Sequence, residues 1–470
     1  MNEVRKEISE SRLSLPQLVD YYLSRIEAQK HLNAILEVFS DEAQTQAIVV
    51  QKKLDDGVAG KLAGMVLVIK DNIVYKDHAS SASSQILKGF KSLFSSTVVE
   101  RLLAEDAIII GRSNCDEFAM GASNENSSYG AVLNAADETR VPGGSSGGSA
   151  VAVQADMCLA SLGSDTGGSI RQPAAFTGIY GLYPTYGTVS RWGLIAFASS
   201  FDQIGPFTAS VSDMALIMQV ISGSDEHDAT MYQGKTYDFQ PSESTKALKI
   251  AYINDCLQHP GLDTAIKDET ERFLKALELN GHTVTGIDFP YLDQMVPCYQ
   301  VLTTAEASSN LSRFSGLTYG YRSPNAKDLE STFKKSRTEG FGKEVKRRIM
   351  LGTFVLSSDY YDAYYTKAQK VRQLIRQKTM EILSEYDVIV TPTTSTVAFK
   401  IGEKSSDPIA MYLADLFTVQ SNLAGIPGLS IPYATHPENG MPIGMQLMGR
   451  PFEEQVLLGL AESVKAVQSI

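Results

Sequence analysis

Short apolar runs alternate with segments of helical periodicity from residue 64 onward, and this alternation constrains the fold more than any other feature. The strand-like runs are rich in β-branched residues, whereas the helical segments repeat their apolar residues every three or four positions. The predicted elements are strands at 65–70, 107–111 and 157–162 and helices at 98–104 and 149–155. Because such alternation is typical of α/β proteins, we predict a sheet with helices on its faces.

Further elements continue the pattern toward both ends of the chain. Additional helices are predicted at 14–28, capped by Ser14, at 263–280, capped by Asp263, and at 360–386, and additional strands at 248–253 and 388–390. The polar, serine-rich stretch 222–245 interrupts the alternation. We therefore predict one domain spanning 1–470, with an excursion or smaller subdomain around 222–348.

Charge restricts the classes of function. The chain has 42 Lys and Arg residues against 54 Asp and Glu residues, a net charge of −12, which excludes a wholly basic nucleic-acid binder. Basic residues are concentrated in 312–348, where ten Lys and Arg stand against four Asp and Glu. Because no aromatic stacking pattern accompanies this charge, a solvated flap is favoured over a nucleic-acid contact.

Neither a targeting signal nor a metal site is indicated. The first thirty residues lack the apolar core of a secretory signal, and the longest apolar stretches fall far short of the roughly 18 to 20 residues of a spanning helix. A cytoplasmic protein is therefore predicted. The four cysteines are widely separated and form no Cys-x-x-Cys pair, so we expect them to be reduced and packed.

Two segments rich in glycine and serine have the densest chemical signal. They are Val141–Ser149, with the sequence VPGGSSGGS, and Gly163–Pro173, with the sequence GSDTGGSIRQP. Their glycines free backbone N–H groups to line a cavity. A phosphate cradle is disfavoured because neither segment ends in the Gly-Lys-Ser/Thr of a P-loop. For either segment alone, a nucleophile elbow and a structural role in turns and helix caps stay open.

A lysine is the best candidate for a catalytic base. The six histidines are scattered along the chain, so a serine nucleophile would need another group to take its proton. Lys70 ends an apolar segment and would lie at the carboxyl edge of the sheet, where α/β folds place ligands. Most lysines at strand ends are simply solvated, and this one can act as a base only if its surroundings keep it neutral.

Taken together, these segments identify a family. Lys70-Asp-Asn, Pro142–Ser149 and Gly163–Arg171 resemble the motifs of the amidase signature family of amide hydrolases. The resemblance implies a mixed central β-sheet covered by helices on both faces. It also implies a Ser-Ser-Lys triad, in which Ser169 is the nucleophile, Ser145 is a proton shuttle on a cis peptide bond, and Lys70 is the base. The implied oxyanion hole consists of the backbone N–H groups of Thr166, Gly167, Gly168 and Ser169.

Other segments are similar to one branch of this family, the glutaminase subunits of tRNA-dependent amidotransferases. These segments are 114–121, 186–205, 346–354, 360–365 and 422–432. The resemblance implies that Arg348 pairs with the α-carboxylate of glutamine, that Asp415 pairs with its α-amino group, and that Tyr299 lines the pocket. Because Arg347 and Arg348 are adjacent, only one of them can face the substrate.

The branch resemblance implies a specific reaction and specific partners. Glutamine would be hydrolysed to glutamate and ammonia, for the ATP-dependent conversion of Glu-tRNA(Gln) to Gln-tRNA(Gln) or of Asp-tRNA(Asn) to Asn-tRNA(Asn). The expected partners are subunits B and C in a heterotrimer, with ATP, Mg and most of the tRNA contact left to the partner. This chain itself would need no metal or organic cofactor. The alternatives are a free-standing amidase of the same family and a catalytically silent interaction subunit.

Overall fold

A mixed β-sheet of 11 strands organises the chain. The computed structural model describes residues 1–235, 237–241, 247–404 and 411–468. The strands are β1 (Ile35–Val38), β2 (Val66–Lys70), β3 (Ile108–Ser113), β4 (Ala160–Asp165), β5 (Tyr180–Tyr183), β6 (Gln203–Thr208), β7 (Lys249–Ile253), β8 (Thr283–Ile287), β9 (Val388–Pro392), β10 (Gly428–Thr435) and β11 (Pro442–Gly449). Their order in the sheet is β1-β3-β2-β4-β6-β5-β10-β11-β9-β7-β8.

Helices connect most of these strands. In the described residues they are α1 (Asn2–Ser9), α2 (Leu15–Ala28), α3 (Ser40–Asp55), α4 (Thr97–Ala104), α5 (Gly147–Gln154), α6 (Arg171–Thr177), α7 (Val211–Ile221), α8 (Asn254–Leu257), α9 (Thr264–Leu279), α10 (Leu292–Asn310), α11 (Leu329–Gly340), α12 (Lys343–Val355), α13 (Lys367–Glu385), α14 (Val419–Ala424) and α15 (Glu454–Gln468). None of the helices in this part of the chain is long and apolar enough to cross a membrane.

The sheet is covered on both faces. Along β2, Leu67 and Ile69 belong to one hydrophobic cluster, whereas Val66 and Val68 belong to another on the opposite face. Successive side chains of a strand point to opposite faces, so a strand that is buried on both sides needs this continuous apolar run. β2 lies parallel to both β3 and β4, whereas β4 is antiparallel to β6. These observations confirm the predicted α/β fold with a mixed sheet.

Several predicted helix ends agree with the structure. Ser14 caps α2 in a capping box with Gln17, and Asp263 accepts the N–H groups of the first turn of α9. Gly281 follows α9 in the left-handed region at φ 89°, where glycine has no Cβ to strain the backbone. Local capping chemistry therefore fixes these boundaries.

Two boundaries differ from the prediction. The strand predicted at 157–162 is β4, Ala160–Asp165, because the N–H groups of Asp156 and Met157 donate to the last carbonyl groups of α5 in the turn that ends that helix. β4 then continues through polar residues that are buried beside the site described below. The single helix predicted at 360–386 begins instead with a π-helical turn at Asp362–Thr366, followed by α13.

The segment predicted as an excursion contributes to the same sheet. The strands of 222–348 are β7 and β8; β7 pairs in parallel with β9, and β8 pairs in parallel with β7. The helices α10 and α12 of the same segment pack against each other. Residues 236 and 242–246, within the polar stretch that interrupts the alternation, lie outside the described residues.

Candidate active site

Lys70 lies at the centre of a buried polar cluster. It is the last residue of β2 and is fully buried. Its Nζ lies 2.8 Å from the Oγ atoms of Ser145 and Ser146 and 2.9 Å from Ser164 Oγ. Asn72 donates to the same Ser164 Oγ at 2.9 Å. Lys70 is therefore not the solvated lysine that most strand ends present.

Burial changes the protonation of Lys70. Removal from water lowers its pKa to about 8, against the opposing influence of Cys115 and of the carboxylates of Asp116, Asp165 and Asp202. About half of these amines are therefore neutral at pH 8. Because a neutral amine can accept a proton from a neighbouring serine hydroxyl, Lys70 meets the chemical requirement for a general base.

The loop that contains Ser145 is held by Asp116. The Gly144–Ser145 peptide bond is cis. The N–H of Asp116 donates to the Ser145 carbonyl at 3.0 Å, and its carboxylate accepts the N–H groups of Asn124 and Asn126 at 2.9 and 3.0 Å. A side chain at Gly144 would collide with this carboxylate, so the loop requires glycine there.

Ser169 follows β4 on a loop that is organised around Asp165. The carboxylate of Asp165 accepts the N–H of Gly168 at 2.8 Å, the N–H of Ile170 at 3.1 Å, and two guanidinium nitrogens of Arg171 at 3.1 Å each. Burial raises the pKa of Asp165, but Arg171 and these hydrogen bonds outweigh burial and hold the pKa below its usual value. The ionised carboxylate therefore fixes the backbone on both sides of Ser169.

The backbone around Ser169 matches the predicted oxyanion hole only in part. The N–H groups of Thr166, Gly167 and Ser169 have no hydrogen-bond partner among the described residues, so they are available to an oxyanion. The Gly168 N–H, in contrast, donates to Asp165. The prediction that Gly168 is a free donor is therefore corrected, because the carboxylate that shapes the loop already uses this group.

A further layer of contacts ties this loop to the C-terminal part of the chain. Arg171 is fully buried and donates to the Thr418 carbonyl and to Asn422 Oδ1 at 2.6 Å and to Gln446 Oε1 at 2.8 Å. The Thr418 hydroxyl donates to the Gly167 carbonyl at 2.6 Å. The nucleophile loop is therefore clamped between β4 and segments about 250 residues later in the chain.

Arg348, and not Arg347, turns toward the interior. Arg348 is 5% exposed, and its guanidinium lies 5.5 Å from the ring centroid of Phe197 and 5.4 Å from that of Tyr412. Its Nε donates to Glu344 at 2.8 Å, whereas its two terminal nitrogens have no partner in the described part of the chain. The side chain of Arg347 is 38% exposed and pairs with the other oxygen of Glu344. Arg348 is thus the buried arginine of the two, and its terminal nitrogens are left for a ligand carboxylate.

Tyr299 and Asp415 lie on the same side of the site as Arg348. Tyr299 is buried, and its ring lies so close to Gly167 that any side chain there would collide with it. Burial, and then the nearby charge of Asp415, raise the pKa of Tyr299, while Arg348 opposes them. Asp415 as a residue is only half-buried, but removal of its carboxyl group from water raises its pKa to about 8. The structure therefore brings the three predicted substrate-binding residues together.

Several groups that support the predicted residues are missing from the sequence prediction. Ser146 and Ser164 both contact Lys70, and their positions inside the two motifs are a signal that could have identified them. Thr418 and Gln446 have no such signal, since neither stands in a recognisable motif. No three His, Cys, Asp or Glu side chains within the described ranges are grouped so that they could hold a metal ion.

Comparison with known proteins gives a consistent result. The Amidase family matches residues 17–458. The A subunit of glutamyl-tRNA(Gln) amidotransferase from Chlorobium limicola is 47% identical over 467 residues, covering 98% of each chain. The protein of the same name from Lacticaseibacillus paracasei is 46% identical over 471 residues, covering 99% of this chain and 96% of that protein.

Solved structures agree with these sequence relatives. The crystal structure of the A subunit of glutamyl-tRNA(Gln) amidotransferase from Thermotoga maritima matches with a TM-score of 0.78 at 39% identity, covering 96% of this chain and 92% of that one. A bacterial aryl acylamidase of the amidase signature family has the same fold, with a TM-score of 0.86 at 20% identity over 100% of this chain and 96% of that one. The motifs, the buried contact between Lys70 and Ser145, and these matches lead to one conclusion: the chain belongs to the amidase signature family of amide hydrolases.

Proposed function

We propose that this chain is the glutaminase subunit of a tRNA-dependent amidotransferase. The observation that supports this best is that Arg348 and Asp415, which do not bond to each other, both lie near Tyr299, whose ring contacts Gly167 in the loop of Ser169. A zwitterionic amino acid needs one cation for its carboxylate and one anion for its ammonium group, and both stand here next to a serine that can attack a side-chain amide. The names of the relatives, which are 46 to 47% identical over the whole chain, support the same function.

The proposed reaction begins with the attack of Ser169 Oγ on the carboxamide carbon of glutamine. The Ser169 proton passes to Ser145 Oγ as the Ser145 proton passes to neutral Lys70. The N–H groups of Thr166 and Gly167 bind the oxyanion of the tetrahedral intermediate, because free donors in a buried site stabilise the charge as it develops. The C–N bond then breaks, and ammonia leaves with a proton returned from Lys70 through Ser145. A glutamyl ester of Ser169 remains.

Water completes the proposed cycle. It attacks the glutamyl ester while Ser145 and Lys70 take up its proton by the same route. The C–O bond to Ser169 then breaks, and the proton returns to Ser169 Oγ as glutamate leaves. Each cycle therefore consumes one glutamine and one water and yields one glutamate and one ammonia, with the enzyme unchanged.

The ammonia is proposed to be consumed by a partner. The relatives are named as subunits of an amidotransferase, which supports a multi-subunit enzyme. We propose a cytoplasmic heterotrimer with subunits B and C, in which the partner uses ATP and Mg to activate Glu-tRNA(Gln), or Asp-tRNA(Asn), and makes most of the tRNA contact. The net charge of −12 on this chain supports that division of labour.

Ammonia release from L-glutamine tests the proposal. The chain is co-purified with its candidate partners, and turnover of glutamine is compared with that of a panel of unrelated carboxamides, with Ser169→Ala as the control. Release that is selective for glutamine, lost in the variant and raised by ATP with Glu-tRNA is the expected result. Turnover of other carboxamides but not of glutamine would instead support a free-standing amidase. Absence of any turnover together with absence of fluorophosphonate labelling at Ser169 would support a silent interaction subunit.

A further inference from the structure

Glu117 joins the catalytic part of the site to the helix that contains Arg348. It follows Asp116 directly, begins the short 3-10 turn Glu117–Ala119, and is 3% exposed. Its carboxylate accepts the N–H of Gly342, at 2.8 Å to Oε2 and 3.1 Å to Oε1, and also the hydroxyl of Ser84. This buried carboxylate takes no part in the mechanism proposed above.

The contact with Gly342 holds the start of α12, because Glu117 accepts the N–H of the N-cap residue, as the third helical residue does in a capping box. Gly342 is the N-cap residue of α12 and offers no side chain to the unpaired N–H groups of the first turn. A carboxylate at this end of a helix both accepts a hydrogen bond and interacts favourably with the positive end of the helix dipole. A side chain at Gly342 would displace Glu117 Oε2, so glycine at this position preserves the contact between Glu117 and the helix.

The same turn also holds the catalytic loop. The N–H of Asp116 donates to the Ser145 carbonyl, while Glu117 fixes the start of α12. Glu344, which binds Arg348 Nε, stands in the first turn of α12, and Arg348 follows one turn later. Two consecutive acidic residues therefore set the position of the proton shuttle and the position of the carboxylate-binding arginine.

We infer that Glu117 is a positioning residue for the recognition of the glutamine α-carboxylate. It acts through α12 and Arg348 without touching the substrate, and it sets the distance between the carboxylate-binding group and the reacting serine. This inference rests on the proposed function, because it assumes that Arg348 binds the α-carboxylate of glutamine.

The surroundings of Glu117 make its contact with Gly342 sensitive to pH. Burial raises the pKa of Glu117 to about 7, although the Ser84 hydroxyl, the Gly342 N–H and the charge of Lys346 favour the ionised form. A protonated carboxyl group is a weaker acceptor, and it loses the favourable interaction with the positive end of the helix dipole. Because the contact between Glu117 and Gly342 weakens as the pH falls through 7, the KM for glutamine should rise.

Steady-state kinetics of the co-purified complex test the inference. Glu117→Ala should raise the KM for glutamine about five- to tenfold, as expected for the loss of a capping acceptor, with kcat changed less than about threefold. Glu117→Gln keeps an acceptor for Gly342 but cannot ionise. It should restore most of the lost affinity and make the rise of KM between pH 7.5 and 6 less steep than in the unmodified complex, because only Asp415 then still titrates on the recognition side. Glu330→Gln, an exposed acid in the first turn of α11, is the matched control and should change neither parameter.

A second measurement separates positioning from a general structural role. The rate at which a small fluorophosphonate labels Ser169 depends on the triad but not on Arg348, so it should be unchanged in both Glu117 variants. If labelling slows in parallel with glutamine turnover, or if KM is unchanged in both variants, the inference is wrong. If the unmodified complex labels at Ser169 but does not hydrolyse glutamine, it is the proposed function that fails.

Discussion

The proposed catalytic side and the proposed recognition side of the site differ in how completely the chain satisfies their charged side chains. Lys70, Ser145 and the Asp165 carboxylate are fully buried and joined to their surroundings by hydrogen bonds. On the recognition side, Arg348 keeps two terminal nitrogens without a partner in the described residues, and Asp415 is a carboxyl group with a raised pKa. Under the proposed function, the charged groups of the catalytic side are thus in place before glutamine binds, whereas those of the recognition side gain their partners from it. Changes to the first should lower kcat, and changes to the second should raise KM.

The largest effect is expected from Lys70→Met. Methionine keeps an unbranched side chain of similar length in the buried site but cannot accept a proton, so kcat for glutamine should fall about a thousandfold. The measurement is ammonia release at saturating glutamine and at a pH near 8. Unfolding midpoints compared with the unmodified protein show whether the fold is retained.

Lys76→Met is the matched control for this prediction. Lys76 is exposed and lies six positions after Lys70, outside the buried polar cluster. Its replacement should leave kcat unchanged. A folded Lys70→Met variant that keeps more than about a tenth of the activity would show that another group is the base. The side of the site that contains Lys70 could then not be called catalytic.

The next largest effect is expected on the recognition side, from Arg348→Ala. A charge-assisted hydrogen bond contributes about 1.5 to 3 kcal/mol, so the KM for glutamine should rise about 10- to 100-fold. Arg347→Ala is the matched control, because Arg347 is more exposed and binds the same Glu344 from outside the site. It should change KM less than about threefold. Equal effects of the two variants on KM would contradict the assignment of Arg348 to the substrate.

The same contrast explains which parts of the site can be predicted from the sequence. Lys70, Ser145 and Ser169 stand in contiguous motifs, and the resemblance of these motifs to a known family points to them, although the residue types alone leave their roles open. Thr418 and Gln446 act on the nucleophile loop from segments that are distant in the sequence, and a threonine or a glutamine by itself gives no signal. Gln446 reaches the loop because β11 lies in the same sheet, and Thr418 reaches it from the position before α14.

Helices and strands also differ in how well the sequence predicts their bounds. Capped helices such as α2 and α9 are predicted well, because a cap is a local hydrogen bond that the sequence itself encodes. The predicted bounds of β4 are wrong because its polar half, Gly163–Asp165, is buried beside Lys70. A strand that enters an active site lacks the apolar pattern by which strands are recognised.

The pH dependence should distinguish the two sides of the site in one experiment. Lys70 with a lowered pKa is neutral, and active as a base, only at and above about pH 8, so kcat should fall about tenfold per pH unit well below that value. Asp415 with a raised pKa is protonated below about pH 8 before substrate binds, so KM should rise as the pH falls from 8.5 to 7.

Asp415→Asn sharpens this pH prediction. The variant cannot ionise, so KM should be high and nearly constant between pH 7 and 8.5, while the kcat profile set by Lys70 stays in place. Steady-state kinetics at six or more pH values provide both parameters. A change in the kcat profile, without a change in the KM profile, would place Asp415 on the catalytic side and overturn the division.

The smallest effect is expected from Thr418→Val, which tests whether the two sides communicate. The Thr418 hydroxyl bonds to the Gly167 carbonyl at 2.6 Å and also to the carbonyl of Asp415 at 3.1 Å, so it links the oxyanion loop to the recognition side. Valine has nearly the same shape but cannot donate this bond, whose loss costs about 1 kcal/mol. If the link positions the Gly167 N–H for the oxyanion, kcat should fall about two- to fivefold.

Thr270→Val removes a similar buried hydroxyl bond inside α9 and should lower the unfolding midpoint without lowering kcat. Equal losses of stability with no difference in kcat would mean that the catalytic side is rigid without help from the recognition side.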